Sequence, residues 1–263
     1  MRSWFRDLDE LLRGRRTLPE DLAAGRIHLS LGRFGIWAIL LGGCYGMFMG
    51  LFAVTGRDPA AYEQLMASTV KLPGLFLITL LVTFPSLYVF NALLGSRLRF
   101  LETLKLLIGA VVVNVTVAAS LGPILGFFTL STTSYAFMIV LNVALLAISG
   151  AVGLGFLLHA LKRMSAAAAM QRMPVTQVVS SDDAEGTVEG SGHRELAQAG
   201  PSMSESKSIF RIWVIIYGLV GAQTGWLLRP FIGSPDLPFS WFRPREGNFF
   251  QSVWTHFQAL LAP

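Results

Sequence analysis

Five stretches of this chain, residues 34–55, 73–95, 106–130, 135–161 and 209–229, run for 21 to 27 residues each with almost no charge. Together they cover 118 of the 263 residues and hold two of the 37 charged side chains, Arg211 and Arg229, one at each end of the last stretch. A hydrocarbon core about 30 Å thick needs about 20 helical residues to cross it. In lipid, a backbone must also satisfy its own hydrogen bonds, which a helix does within one segment. Buried helices of soluble proteins are shorter and broken by polar positions. The pattern therefore predicts an all-α fold, a polytopic membrane helix bundle of about five transmembrane helices. The other 145 residues carry 35 charges, or 24%, which matches the soluble norm of about 25%. The overall figure of 14% is thus an average over a lipid phase and a water phase.

Topology follows from the loops. Residues 131–134 are enough for a tight helical hairpin, although spans three and four could instead dip in and return. Asp7, Asp9, Glu10, Glu20 and Asp21 crowd the region where a cleavable signal would be short and basic, so span one reads as its own signal-anchor. Counting Lys and Arg on alternate sides gives sixteen on the side of the N-terminus and five on the other. The positive-inside bias then predicts a cytoplasmic N-terminus and an external C-terminus. The net charge of +5 is accounted for by topology and by attraction to anionic headgroups, and it calls for no nucleic acid. The single cysteine, Cys44, lies inside span one and has no intrachain partner for a disulfide.

The organisation expected is a cytoplasmic amphipathic tail (1–33), four spans (34–161), a disordered cytoplasmic linker (162–208), a fifth span (209–229) and an external aromatic segment (230–263). In the tail, Trp4, Phe5, Leu8, Leu11 and Leu12 share one helical face, suited to the inner membrane surface or to another protein. Thr17 to Glu20 reads as the capped start of a second short helix. The linker begins as a helical extension through Ala166 to Ala169. From Pro174 to Ser206 it has too little apolar surface to offset the entropy of ordering it.

Within the spans, Gly42, Gly46 and Gly50 recur every four residues and form a groove that lets a neighbouring backbone approach closely. The neighbour could be a second subunit or another helix of the same chain. Gly218, Gly221 and Gly225 repeat the theme in span five, so the two glycine faces could pair. Pro85 and Pro123 each remove one backbone bond and should bend spans two and three. Asn91 and Asn114 fall at matched depth in the inner half, and Asn142 and Gln223 in the outer half. Two interhelical hydrogen-bonded pairs are expected, each worth about 0.5 to 2 kcal/mol. No Asp, Glu or Lys lies in a span interior, so proton relays and charge-coupled transport lack their usual residues. His159 is the one span histidine. No catalytic motif, metal-ligand set or cofactor-binding pattern is present, so catalytic, metal and cofactor sites are all expected to be absent.

After span five the chain becomes rich in proline and aromatic residues. Phe231, Phe239, Trp241, Phe242, Phe249, Phe250 and Trp254 stand where an interfacial belt is expected, and the segment should fold back over the outer headgroups. Arg229, Arg243 and Arg245 would contact phosphates, or Glu246 would pair with one of them. Two runs, Phe84-Pro85-Ser86-Leu87-Tyr88-Val89-Phe90-Asn91 with Leu94-Gly95-Ser96, and Arg229-Pro230-Phe231-Ile232-Gly233-Ser234-Pro235 with Arg245-Glu246-Gly247-Asn248-Phe249, resemble a set of uncharacterised bacterial multi-span proteins. The five-span plan with a cytoplasmic tail is weakly similar to the Yip1 family over the helical region, through hydropathy more than motif. That resemblance implies a membrane-embedded trafficking or adaptor role and supplies no catalytic residue. The expected function is a non-enzymatic membrane scaffold or accessory subunit with the lipid bilayer and a protein partner around it, and a homo-oligomer as a further option. The alternative is a small-solute transporter or channel that uses the bent helices and the four amides as a path.

Overall fold

The long apolar stretches are helices, as a backbone without water requires. The structure is a computed structural model that describes residues 2–15, 27, 29–56, 61–93, 100–171, 203–234, 237–244 and 247–261. Among these residues all regular structure is helical and there is no strand. In chain order the helices are α1 (Arg2–Leu12), α2 (Leu31–Thr55), α3 (Tyr62–Leu93), α4 (Phe100–Ser131), α5 (Tyr135–Gln171), α6 (Met203–Leu228) and α7 (Phe249–Leu261).

Four of them are long and apolar enough to cross a membrane: Leu31–Thr55, Tyr62–Ser86, Phe100–Ser131 and Tyr135–Ala160. This is the signature of a multi-pass membrane protein in contact with lipid. Both α4 and α5 are unbroken, joined by a tight turn at 132–134 in which Ser134 Oγ accepts the Phe137 N–H at 3.3 Å and caps α5. In α6 the described apolar part, Ile215–Leu228, is shorter than a full crossing, although the helix as a whole has 26 residues. α6 begins at Met203, six residues before the stretch expected from hydropathy, and α5 extends to Gln171. The expected linker beyond Gln171, and the expected second short helix from Thr17, lie outside the described residues.

α2 is the central helix and packs against both α3 and α4; α5 lies on α4, and α6 on α3. The glycines decide how close these pairs come. A Cβ on Gly46 would stand 2.4 Å from the Ser68 carbonyl oxygen, one on Gly50 would stand 2.6 Å from Leu65 Cα, and one on Gly42 would stand 3.2 Å from Pro73 Cβ. The groove of α2 is therefore filled by the backbone of α3, running antiparallel. Gly221 and Gly225 also face α3, near Thr79 and Leu75. The two glycine faces do not pair with each other, because α3 stands between them. On its other side α2 sends the Phe48 ring over Gly122 and Gly126 of α4.

Several threonine hydroxyls in the apolar helices are spent on their own backbone: Thr83 donates to the Thr79 carbonyl, Thr116 to Val112 and Thr129 to Leu125, all within 3.0 Å. Pro73 and Pro85 lie inside α3 and Pro123 inside α4. Pro85 and Pro123 are exposed on the outside of the bundle.

The tail helix docks on its own bundle. Leu8 and Leu11 of α1 are buried in the core, with Leu11 against the small surface of Gly109 in α4. Phe5 meets the Trp37 ring edge-on at 5.2 Å, and Arg33 of α2 donates to the Asp7 carboxylate. Nearby, Glu102 accepts the Ile27 N–H at 2.7 Å and pairs with Lys105 at 2.7 Å, while Lys105 also donates to the Ile27 carbonyl. Of the two surfaces expected for this apolar face, neither is needed for Leu8 and Leu11. Phe5 and Leu12 stay exposed.

Candidate functional site

The most elaborate polar arrangement lies at the end of the bundle opposite α1. Hydropathy alone begins span two at residue 73 and leaves Lys71 in a loop. In the structure α3 starts eleven residues earlier, so Gln64, Ser68 and Lys71 recur at helical spacing on one face. All three side chains are buried, at 1%, 0% and 5% exposure. Such burial is costly unless the groups are hydrogen-bonded.

Their partners are carbonyls of the segment that follows α6. Gln64 Nε2 donates to Pro230 O at 3.1 Å and to Phe231 O at 2.9 Å, and also reaches Ser68 Oγ at 3.2 Å. The Ser68 hydroxyl is shared between Phe231 O and its own helix at Gln64 O. Lys71 Nζ donates to Pro230 O at 3.2 Å and to Trp241 O, and its ammonium lies over the Phe242 ring at 5.1 Å and the Trp241 ring at 5.7 Å. Tyr135 at the start of α5 donates to Ile232 O at 3.3 Å. The described residues of this segment, 229–234 and 237–244, form neither helix nor strand, so their carbonyls need such donors. Pro230, Ile232, Gly233 and Ser234 are buried. Gly233 is required where it stands, because a Cβ there would lie 2.8 Å from Ala53 Cβ and 2.9 Å from Gln64 Cγ. The result is a cap, drawn down onto the ends of α2, α3 and α5.

Arg229 turns the chain at the edge of this cap. Its guanidinium lies 3.5 Å from the Trp226 ring centre and donates to Pro244 O. Arg243 is half-buried within the capping segment. Arg245 and Glu246 lie outside the described residues. The chemistry of this constellation is that of donors matched to carbonyls, which suits holding a segment in place.

The intramembrane amides are arranged differently from the depth-matched pairs expected of them. Asn142, buried in α5, accepts from the Tyr45 hydroxyl of α2 at 2.9 Å. Gln223 is exposed on α6 and does not reach it. The tyrosine was a partner of the correct depth, concealed in an apolar run. Asn114 is buried in α4, where Gly153 of α5 gives it room: a Cβ at that glycine would stand 2.7 Å from Asn114 Cβ. Asn114 borders a cavity of about 20 Å3 that Leu80, Ala110, Gly153, Leu157 and Tyr217 also line. That is room for about one water molecule. Asn91 falls in α3, and its side chain lies outside the described residues. Among the described residues no three His, Cys, Asp or Glu side chains gather into a group that could hold a metal ion.

No protein-family model, curated protein or solved structure matches this chain. The resemblances to bacterial multi-span proteins and to the Yip1 family therefore rest on short runs of residues and hydropathy alone.

Proposed function

We propose that the chain is a non-catalytic accessory subunit or scaffold of a membrane assembly, set in a bacterial inner membrane with its N-terminus in the cytoplasm and α6 as a fifth crossing. The observation that carries this reading is the use made of its polar groups: the buried donors at the α7 end hold the chain's own cap, and the buried Tyr45–Asn142 pair ties α2 to α5. Among the described residues, α1 packs on one end of the bundle and residues 229–234 and 237–244 lie over the other. The excess of Lys and Arg on the side of the N-terminus supports the orientation.

Exposed apolar residues of α6, among them Ile215 and Leu219, and of α7, among them Phe250 and Trp254, offer surfaces for a partner beside those of the other long helices. A solute path has less behind it. Pro85, Pro123 and Gln223 sit on the outside of the bundle, Asn142 is taken by Tyr45, and the cavity beside Asn114 holds about one water. Native mass spectrometry of the protein extracted from its own membrane tests the reading. A defined hetero-complex is the expected result, and a monodisperse species free of any partner would refute it.

A further inference from the structure

Several polar side chains of the long helices find a partner inside the bundle. The hydroxyls of Thr83, Thr116 and Thr129 donate to a carbonyl one turn earlier in their own helix, and the buried Asn142 accepts from Tyr45. Gln223 of α6 takes neither course. Its side chain is exposed on the outside of the bundle, and its amide makes no hydrogen bond with any described residue. A primary amide carries two donor hydrogens and an acceptor oxygen, and leaving them open to hydrocarbon is costly.

The position of Gln223 closes the usual escape to water. With α6 read as a crossing, Gln223 lies three residues before Trp226 and six before Arg229, about 4.5 Å and about 9 Å below them along the helix axis. The Arg229 guanidinium rests on the Trp226 ring at 3.5 Å, and together they mark the interfacial level where tryptophan gathers. A helical side chain leaves its backbone tilted toward the N-terminus, which in α6 is toward the membrane interior. Gln223 is therefore aimed away from the nearer headgroups, and it lacks the long stem by which Lys or Arg snorkels back.

The amide also sits on a ridge that nothing in the chain covers. Ile215, Leu219 and Gln223 recur every four residues and all three are exposed. The opposite side of α6 is occupied, since Gly221 and Gly225 face Thr79 and Leu75 of α3. At the outer end the Trp226 indole donates to Gly247 O at 3.2 Å. The open part of the ridge thus runs from Ile215 to Gln223, and ridges of this spacing interdigitate with the same ridge on another helix.

What covers it must both donate and accept at the depth of one amide. A second copy does so by symmetry: about a two-fold axis along the membrane normal, two Gln223 side chains meet at equal depth, and each NH2 donates to the other's Oε1. We propose that α6 is a self-association face that pairs two copies of this chain through the Gln223 amide, with Ile215 and Leu219 interdigitating beside it. The inference rests on α6 being a crossing, and it adds a homodimer contact to the accessory-subunit reading.

The test uses the full chain in its own membrane, with single cysteines in a Cys44→Ser background oxidised to disulfides. A disulfide needs Cα atoms within about 7 Å of each other. Leu219→Cys, one turn from Gln223, should give a cross-linked dimer, whereas Ile148→Cys, exposed on α5, should not. With purified protein diluted stepwise into liposomes, Gln223→Leu should raise the protein density needed for half-dimerisation by about tenfold, the equivalent of about 1.4 kcal/mol. Gln223→Asn, which keeps the amide, should stay near the unsubstituted protein. Position 223 is exposed, so neither change disturbs the packing of the bundle. Absence of a Leu219→Cys dimer, equal cross-linking at Ile148→Cys, a cross-link to a different protein, or an unchanged density in Gln223→Leu would overturn the proposal. A homodimer extracted with no other protein would refute the accessory role and leave the pairing intact. Labelling of Leu219→Cys by a membrane-impermeant maleimide would show that α6 is not a crossing and would overturn the pairing with it.

Discussion

Replacing Gly46 by alanine adds one methyl group at the closest approach in the bundle. That Cβ would stand 2.4 Å from the Ser68 carbonyl oxygen and 3.0 Å from both Ser68 C and Thr69 Cα, all of it backbone, so no side chain can swing away. Restoring ordinary contact at 3.4 Å needs α3 to retreat by about 1 Å. A gap of that size forfeits about a quarter to a half of each dispersion contact it opens. The helices are stiff and Gly42 and Gly50 flank the site, so the loss extends over several turns. Dispersion is the main attraction between helices in lipid, and the cost should be about 2 to 4 kcal/mol, at or above the usual range for overpacking. The same retreat would pull Ser68 away from Phe231 O, so the cap should loosen together with the bundle. Gly43→Ala and Gly74→Ala are the controls: the first Cβ makes ordinary contact with Thr69 at 3.5 Å and the second meets open space. In matched detergent, unfolding by SDS followed through tryptophan fluorescence should show Gly46→Ala unfolding at clearly lower SDS, with both controls at or above the unsubstituted protein. Equal midpoints for the three variants would refute the close packing of α2 on α3.

Three further substitutions probe the other joints. Tyr45→Phe leaves the Asn142 oxygen buried without its donor and should cost about 1 to 3 kcal/mol; adding Asn142→Leu should recover part of it, and additive losses in the double-mutant cycle would contradict the pair. Lys71→Met keeps the volume but removes the donor to Pro230 O and Trp241 O. Limited proteolysis of the 229–247 segment should then quicken by about tenfold, the equivalent of about 1.4 kcal/mol of local opening, whereas unchanged cleavage would mean the cap is held without Lys71. Leu11→Ala empties a fully buried position under α1 and should cost the docking about 2 to 5 kcal/mol. Hydrogen exchange across residues 4–12 should rise steeply, and protection equal to the unsubstituted protein would show that α1 is held without Leu11.

Much of the bundle could be read from hydropathy, because a charge-free run of more than 20 residues leaves the backbone few alternatives. The close approach of α2 was legible in the spacing of Gly42, Gly46 and Gly50, but its partner was not: a small-residue face states that a backbone comes near without saying whose. The cap was hidden for a different reason. Gln64, Ser68 and Lys71 depress the hydropathy of the first turns of α3, so the span seems to begin at Pro73. Their helical spacing was the available signal, and it becomes meaningful only once the carbonyls of residues 230–241 are beside them. Asn142 was recognised as a buried amide, but pairing amide with amide at equal depth passed over Tyr45, whose hydroxyl is inconspicuous in an aromatic-rich span. The tail helix displays its apolar face in sequence, yet the surface that receives Leu11 depends on Gly109, which periodicity does not single out.

If the chain is an accessory subunit as proposed, no aqueous path runs past its buried amides. Single cysteines placed at Asn114, Asn142 and Phe242 in a Cys44→Ser background, and treated in intact cells with a membrane-impermeant maleimide, test it directly. The account predicts labelling at Phe242→Cys, which is exposed on the cap, and none at Asn114→Cys or Asn142→Cys, which are buried. Rapid labelling at either buried position in a folded protein would reveal water reaching the middle of the bundle and would replace the accessory subunit with a transporter or channel.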